Sequence, residues 1–109
     1  MAPADVQKAI DEMVRRIVAR FDPERIILFG SHARGRGDVD SDIDLLVVMR
    51  VPGSKRKQAI EIDVALADVG LPKDVIVVTP DEVEKYRDIV GGIIYPAIRE
   101  GKVLYERAA

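Results

Sequence analysis

Three short apolar runs constrain the fold of this chain more than any other feature. They are RIILF (25–29), IDLLVVM (43–49) and DVIVV (74–78), each bounded by Gly, Pro or a Gly- and Asp-rich stretch. All three are short, and the third is β-branched with Pro on both sides, so each reads as a buried strand. Residues 4–20 set Val6, Ile10, Met13, Val14, Ile17 and Val18 at helical spacing, which predicts an amphipathic helix ending near Asp22-Pro23. Residues 54–68 read as a second helix with Ile60, Val64 and Leu66 or Ala67 on one face. TPDEVEKY opens a third, with Thr79 as N-cap, Pro80 at the first position and acids in the first turn. Gly91-Gly92 breaks it. A last helix over 93–100 stops at Gly101, and KVLYE adds a short final strand. SHARGRGDVDS is too rich in Gly and Asp for a long element; one helical turn starting at Ser31 suits it. The expected architecture is α/β (α+β): a small sheet flanked by helices. A length of 109 residues suits one domain spanning 1–109 with a single core.

Composition excludes several classes of function. With 17 basic and 19 acidic residues and a net charge of -2, the chain lacks the basic excess of a free-standing nucleic-acid binder. It has no Cys, so a disulfide framework, a Cys-based metal site and a Cys nucleophile are excluded. No N-terminal signal core and no membrane-length apolar run is visible, so the expected location is the cytoplasm. The absence of Cys and Asn beside abundant charge leans toward a thermophilic composition.

The chemistry concentrates in FGSHARGRGDVDSDIDLLVV (29–48). Asp42 and Asp44 are two residues apart where a strand begins, so alternation points both carboxylates to one face while Ile43 enters the core. Two like charges side by side are unfavourable without a cation between them. Oxygen-only ligands suit Mg²⁺ or Mn²⁺. A lone Asp-x-Asp is more often a turn before a strand; the upstream Gly-Ser shifts that balance. Gly30 closes the first strand and lets a ligand approach its backbone. Ser31 offers a hydroxyl and an N–H for a phosphate, and Arg34 and Arg36 follow as candidate phosphate partners. An anion seat at one strand end and a cation seat at the next suit a nucleoside triphosphate bound as its metal complex. The motif is neither a Walker loop nor a dinucleotide fingerprint.

GSHARGRGDVDSDIDLLVV closely resembles the signature of the DNA polymerase β-like nucleotidyltransferase superfamily. The short chain, the Arg-rich Gly-Ser loop and the ending EGKVLYE look most like the minimal nucleotidyltransferases, the antitoxin halves of HEPN/MNT toxin–antitoxin modules. The resemblance implies a polymerase β-like core and a third carboxylate on the neighbouring strand. Asp74, opening the run at 74–78, is the preferred candidate because adjacent strands lie roughly 5 Å apart. The competing pair, Glu61 and Asp63, falls in the expected helix 54–68, where residues two apart point in different directions.

The implied mechanism is two-metal transfer from ATP. Asp42 and Asp44 would hold one cation and share a second with Asp74, while Gly30, Ser31 and Arg34 would bind the phosphates. The implied reaction moves a nucleoside monophosphate, AMP by resemblance, to a hydroxyl and releases pyrophosphate. A chain of this length has no room for an acceptor-binding domain, so the acceptor must come from a partner or a dimer mate. The resemblance implies a HEPN-domain toxin, modified on a tyrosine. The alternative is a non-catalytic antitoxin that masks its partner sterically; a weaker third is transfer to small molecules or RNA ends.

Other features read as structural. His32, the one His, reads as a polar loop residue with room for a minor role at the nucleotide. Lys55-Arg56-Lys57 reads as a solvated turn, Asp38 and Asp40 as loop solvation, and Arg36 as solvated. Tyr86, Tyr95 and Tyr105 fit packing roles, with Tyr95-Pro96 suited to an interface.

Overall fold

The computed structural model describes residues 3–35 and 41–108. Helix α1 covers Pro3–Phe21 and leads into β1 at Arg25–Phe29. Strand β2 follows at Ile43–Val48, helix α2 at Lys55–Ala65 and β3 at Lys73–Val78. Two short helices, α3 at Pro80–Tyr86 and α4 at Ile94–Glu100, precede β4 at Lys102–Glu106. The sheet is mixed, with strand order β3-β2-β1-β4. β1 pairs antiparallel with β2 and β4, whereas β2 and β3 are parallel. A parallel pair needs a long crossover, and α2 supplies it.

Alternation along the strands divides the core into two layers. Ile26, Leu28, Ile43, Leu45, Val47, Val75 and Val77 face α1 and α2, where they pack with Ile10, Met13, Ile17, Ile62 and Leu66. Ile27, Leu46, Val48 and Val78 face α3 and α4, where they pack with Val83, Ile94 and Ala97. The helical spacing read from the sequence therefore holds for α1. It fails for α2. Ile60 and Val64, expected on its apolar face, are 54% and 69% exposed, while Ile62 and Leu66 are sealed. The buried side of α2 is set by Ile62 and by Leu66 at its C-cap, four residues on and bonded back to the Ile62 carbonyl. The helix also ends at Ala65, and a separate 3₁₀ turn covers Ala67–Val69.

The ends of the elements follow local chemistry. Ser54 caps α2 by accepting from the Lys57 N–H at 3.2 Å. Thr79 and Glu82 form a reciprocal capping box at the start of α3, with Pro80 in its first turn. α1 ends at Phe21, and the next residue, Asp22, is left-handed at φ 48°, just before Pro23. Gly101 lets the end of α4 close against β1. A methyl group there would overlap the Ala97 carbonyl and approach Ile27 Cγ2 to 2.6 Å. Tyr86, expected to pack, is exposed with Lys85 over its ring. Among the described residues, no helix is long and apolar enough to cross a membrane.

Candidate active site

The parallel pairing of β2 and β3 sets the geometry. Asp44 lies directly opposite Asp74 in the register, both near the N-terminal ends of their strands. Asp42 precedes β2 by one residue and is exposed. By alternation, Asp42, Asp44 and Asp74 lie on the face that carries Leu46, Val48 and Val78 further along. Three carboxylates thus come to one end of one sheet face. Glu61 and Asp63 do not join them. Both are exposed on α2, and Asp63 pairs with Lys73 Nζ at 3.6 Å.

Asp44 sits deepest of the three. Partial burial raises its pKa above the ordinary carboxylate value, and the nearby charges of Asp74 and Asp42 push it the same way. His32 and Arg34 act in the opposite direction. A carboxylate held in this way favours a positive charge beside it. The donor set fits a hard divalent cation, being oxygen only. Among the described residues no three side chains form a ready-made metal cage. Mg²⁺ does not require one: it is usually held by one or two carboxylates together with substrate phosphates and water.

β1 delivers the other half of the site. Gly30 follows Phe29, which pairs with Asp44. Its φ of 74° is left-handed, and a methyl group at this position would overlap Asp44 Oδ2. Two independent reasons therefore demand glycine, namely conformation and space for the carboxylate. Beyond it, residues 31–35 form a single hydrogen-bonded turn with helical bonding, as expected from Ser31 onward, and no longer helix. Arg34 N–H donates to the Gly30 and Ser31 carbonyls at 3.3 and 3.2 Å, and Gly35 N–H donates to His32 at 3.3 Å. Gly35, at φ 72°, turns the chain out of the helical path. Ser31 is half-buried, and Ala33 is buried in the core on the α1 side.

Arg34 is exposed and loosely paired with Glu100 at the end of α4, 3.8 Å away. Arg36, Asp38 and Asp40 lie outside the described residues. His32, read from the sequence as a polar loop residue, has a definite partner. Its Nε2 is 3.1 Å from the Ser41 carbonyl. A lone His between Gly-Ser and Asp-x-Asp was the available signal, but its partner is unreadable without the fold.

A mixed sheet with acidic strand ends packed against a Gly-Ser turn fits a nucleotidyltransferase, and comparison with known proteins shows that class. The nucleotidyltransferase domain family model matches residues 10–96, so this chain belongs to that family. A Methanocaldococcus jannaschii protein assigned as a protein adenylyltransferase is 36% identical over a 73-residue alignment that covers 58% of this chain and 74% of that protein. The crystal structure of a protein assigned as a nucleotidyltransferase from Sulfolobus solfataricus has the same fold, with a TM-score of 0.58 and 21% identity. That match covers 98% of this chain and 91% of the other. A toxin–antitoxin crystal structure with AMP-PNP also matches in fold, with a TM-score of 0.51 and 21% identity over 92% of this chain and 73% of the other.

Proposed function

We propose that this chain is a metal-dependent protein adenylyltransferase that acts as a cytoplasmic antitoxin, transferring AMP from ATP to a hydroxyl of its partner toxin. The observation that carries the reading is the juxtaposition of Asp44, Asp74 and Gly30. In this reading Asp42 and Asp44 hold Mg²⁺ or Mn²⁺, with Asp74 contributing to a second ion. Bound divalent ions would neutralise phosphate charge and aid deprotonation of the acceptor hydroxyl. The chain's own groups bind and orient. Gly30 keeps the backbone low enough for the triphosphate to approach Asp44. Ser31 offers its hydroxyl and N–H to phosphate oxygens. Arg34 is long and exposed enough to turn from Glu100 to the phosphates. The likeness to the M. jannaschii protein supports a protein as acceptor, and the toxin–antitoxin structure with AMP-PNP supports both an adenine nucleotide and a toxin partner. The sequence motif adds the finer expectation of a HEPN-domain toxin modified on tyrosine.

The test is incubation of the protein with ATP, Mg²⁺ and the product of the neighbouring gene. The expected outcome is a mass gain of one AMP on the neighbour, mapped to a tyrosine and lost with Asp42→Asn and Asp44→Asn together. A neighbour that stays unmodified while being neutralised equally well by the double variant overturns the reading. That result would favour steric masking, for which the exposed apolar residues Ile89, Val90 and Ile93 offer a contact surface.

A further inference from the structure

We infer that His32 is a positioning residue that clips the phosphate-binding turn to the start of the metal-binding strand; this inference rests on the nucleotidyltransferase reading above. The β1–β2 ladder ends at the pair Phe29–Asp44. Beyond that pair the two arms diverge, one carrying Gly30 and Ser31 and the other carrying Asp42. Ladder bonding no longer fixes their separation, yet a nucleotide bound as its metal complex needs phosphate seat and cation ligand in one fixed relation. The contact from His32 Nε2 to the Ser41 carbonyl joins the two arms at this point.

The chemistry of the contact is determined by its acceptor. A carbonyl only accepts, so Nε2 must carry the proton and donate. Ser31 and His32 are neighbours on one arm, as are Ser41 and Asp42 on the other. One hydrogen bond therefore ties together the residues immediately beside both halves of the site. The clip has a firm base on each side. Ala33, next to His32, is buried in the α1-side core, and Ile43 N–H donates to the Pro72 carbonyl at 2.9 Å. Asp42, exposed and one residue outside the strand, is the ligand whose placement depends most on the clip.

The test compares wild type, His32→Ala and His32→Gln, since the Gln side chain restores an N–H donor of similar reach. Two readouts are taken. Amide hydrogen exchange at residues 31–35 and 41–43 is measured without nucleotide or metal, and the dissociation constant for ATP is measured with Mg²⁺ under non-turnover conditions. His32→Ala is expected to speed exchange on both arms and to weaken nucleotide binding roughly three- to tenfold, the usual worth of one hydrogen bond. His32→Gln is expected to recover most of both, with melting temperatures of all three close together. Unchanged exchange in His32→Ala overturns the clip. Faster exchange with unchanged nucleotide affinity, or a Gln variant no better than Ala in either readout, overturns the positioning role. If wild type binds no nucleotide, the functional reading fails, and the exchange data still decide whether the clip exists.

Discussion

The two faces of the sheet are built to different standards. On the α1/α2 side, Met13, Ile17, Ile26, Leu45, Val47, Ile62 and Leu66 are fully sealed. On the other side, α3 and α4 are only 7 residues each and cover the middle of the face. One end is left to Asp44 and Asp74, and the other to a groove lined by Val78, Tyr86, Ile89, Val90 and Ile93. Strand alternation keeps the two kinds of work apart. In β2, Ile43, Leu45 and Val47 hold the fold together, while Asp44 carries charge that the fold does not need. The closed face supports stability, and under the proposed function the open face carries the chemistry at some cost in stability.

Neighbouring residues of β2 offer the sharpest way to break that contrast. Asp44→Asn is expected to cut AMP transfer on the order of a thousandfold, since metal-assisted charge stabilisation is worth several kcal/mol. The same variant should melt no lower than wild type in the absence of metal, because it removes a carboxylate that Asp74 and Asp42 oppose. A large drop in melting temperature would show that Asp44 is structural and that the two faces are not separable. Leu45→Ala, one residue on and pointing the other way, should lose about 3 kcal/mol of stability by cavity formation. It should retain wild-type nucleotide affinity at temperatures where it is folded; urea unfolding and equilibrium binding check the two halves.

Gly30→Ala tests the boundary between the faces and should hurt both properties. The left-handed φ alone costs about 1 kcal/mol, and the added methyl group must also displace Asp44. Stability is expected to fall by about 2 kcal/mol in all, with a loss of nucleotide affinity that Leu45→Ala does not show. Retained affinity would mean that Asp44 can leave its place beside Gly30 without consequence.

Much of this was legible in the chain because the signals were local. Strand patterns at 25–29 and 74–78, the Thr79 cap and the Gly101 stop depend on neighbours in sequence, and the structure places all of them as expected. Asp74 opens an apolar run as Asp44 does, which was legible. That the two strands are neighbours was an expectation from the family resemblance, and the parallel pairing that sets the two carboxylates opposite each other is seen only in the fold. What the sequence misassigned was tertiary. α2 and its C-cap offer two apolar pairs, Ile60 with Val64 and Ile62 with Leu66, each spaced four apart. Only packing against β3 and α1 decides which is buried. The partner of His32 was hidden for the same reason, since Ser41 is brought near only when β1 and β2 pair.

The smallest expected effect concerns the seam between the faces. Lys55 at the start of α2 meets Glu82 in the first turn of α3, with Nζ and Oε2 2.5 Å apart, so one ion pair links the helices of opposite faces. The Lys55 ammonium first, and then the Thr79 backbone N–H, hold the Glu82 carboxyl below its ordinary value of 4.5. A carboxylate with a lowered folded-state pKa adds stability that is fully present above the unfolded value. That stability is lost as pH falls through the folded one. Glu82→Gln keeps the cap geometry but removes the charge, so it should be less stable than wild type by about 1 kcal/mol at neutral pH. The difference should shrink below pH 4.5 and vanish once Glu82 is protonated in the folded protein. Melting temperature against pH for the two proteins measures this. Parallel curves across the acid range would mean that the seam is held by the capping hydrogen bonds alone, and that Lys55 contributes nothing to joining the two faces.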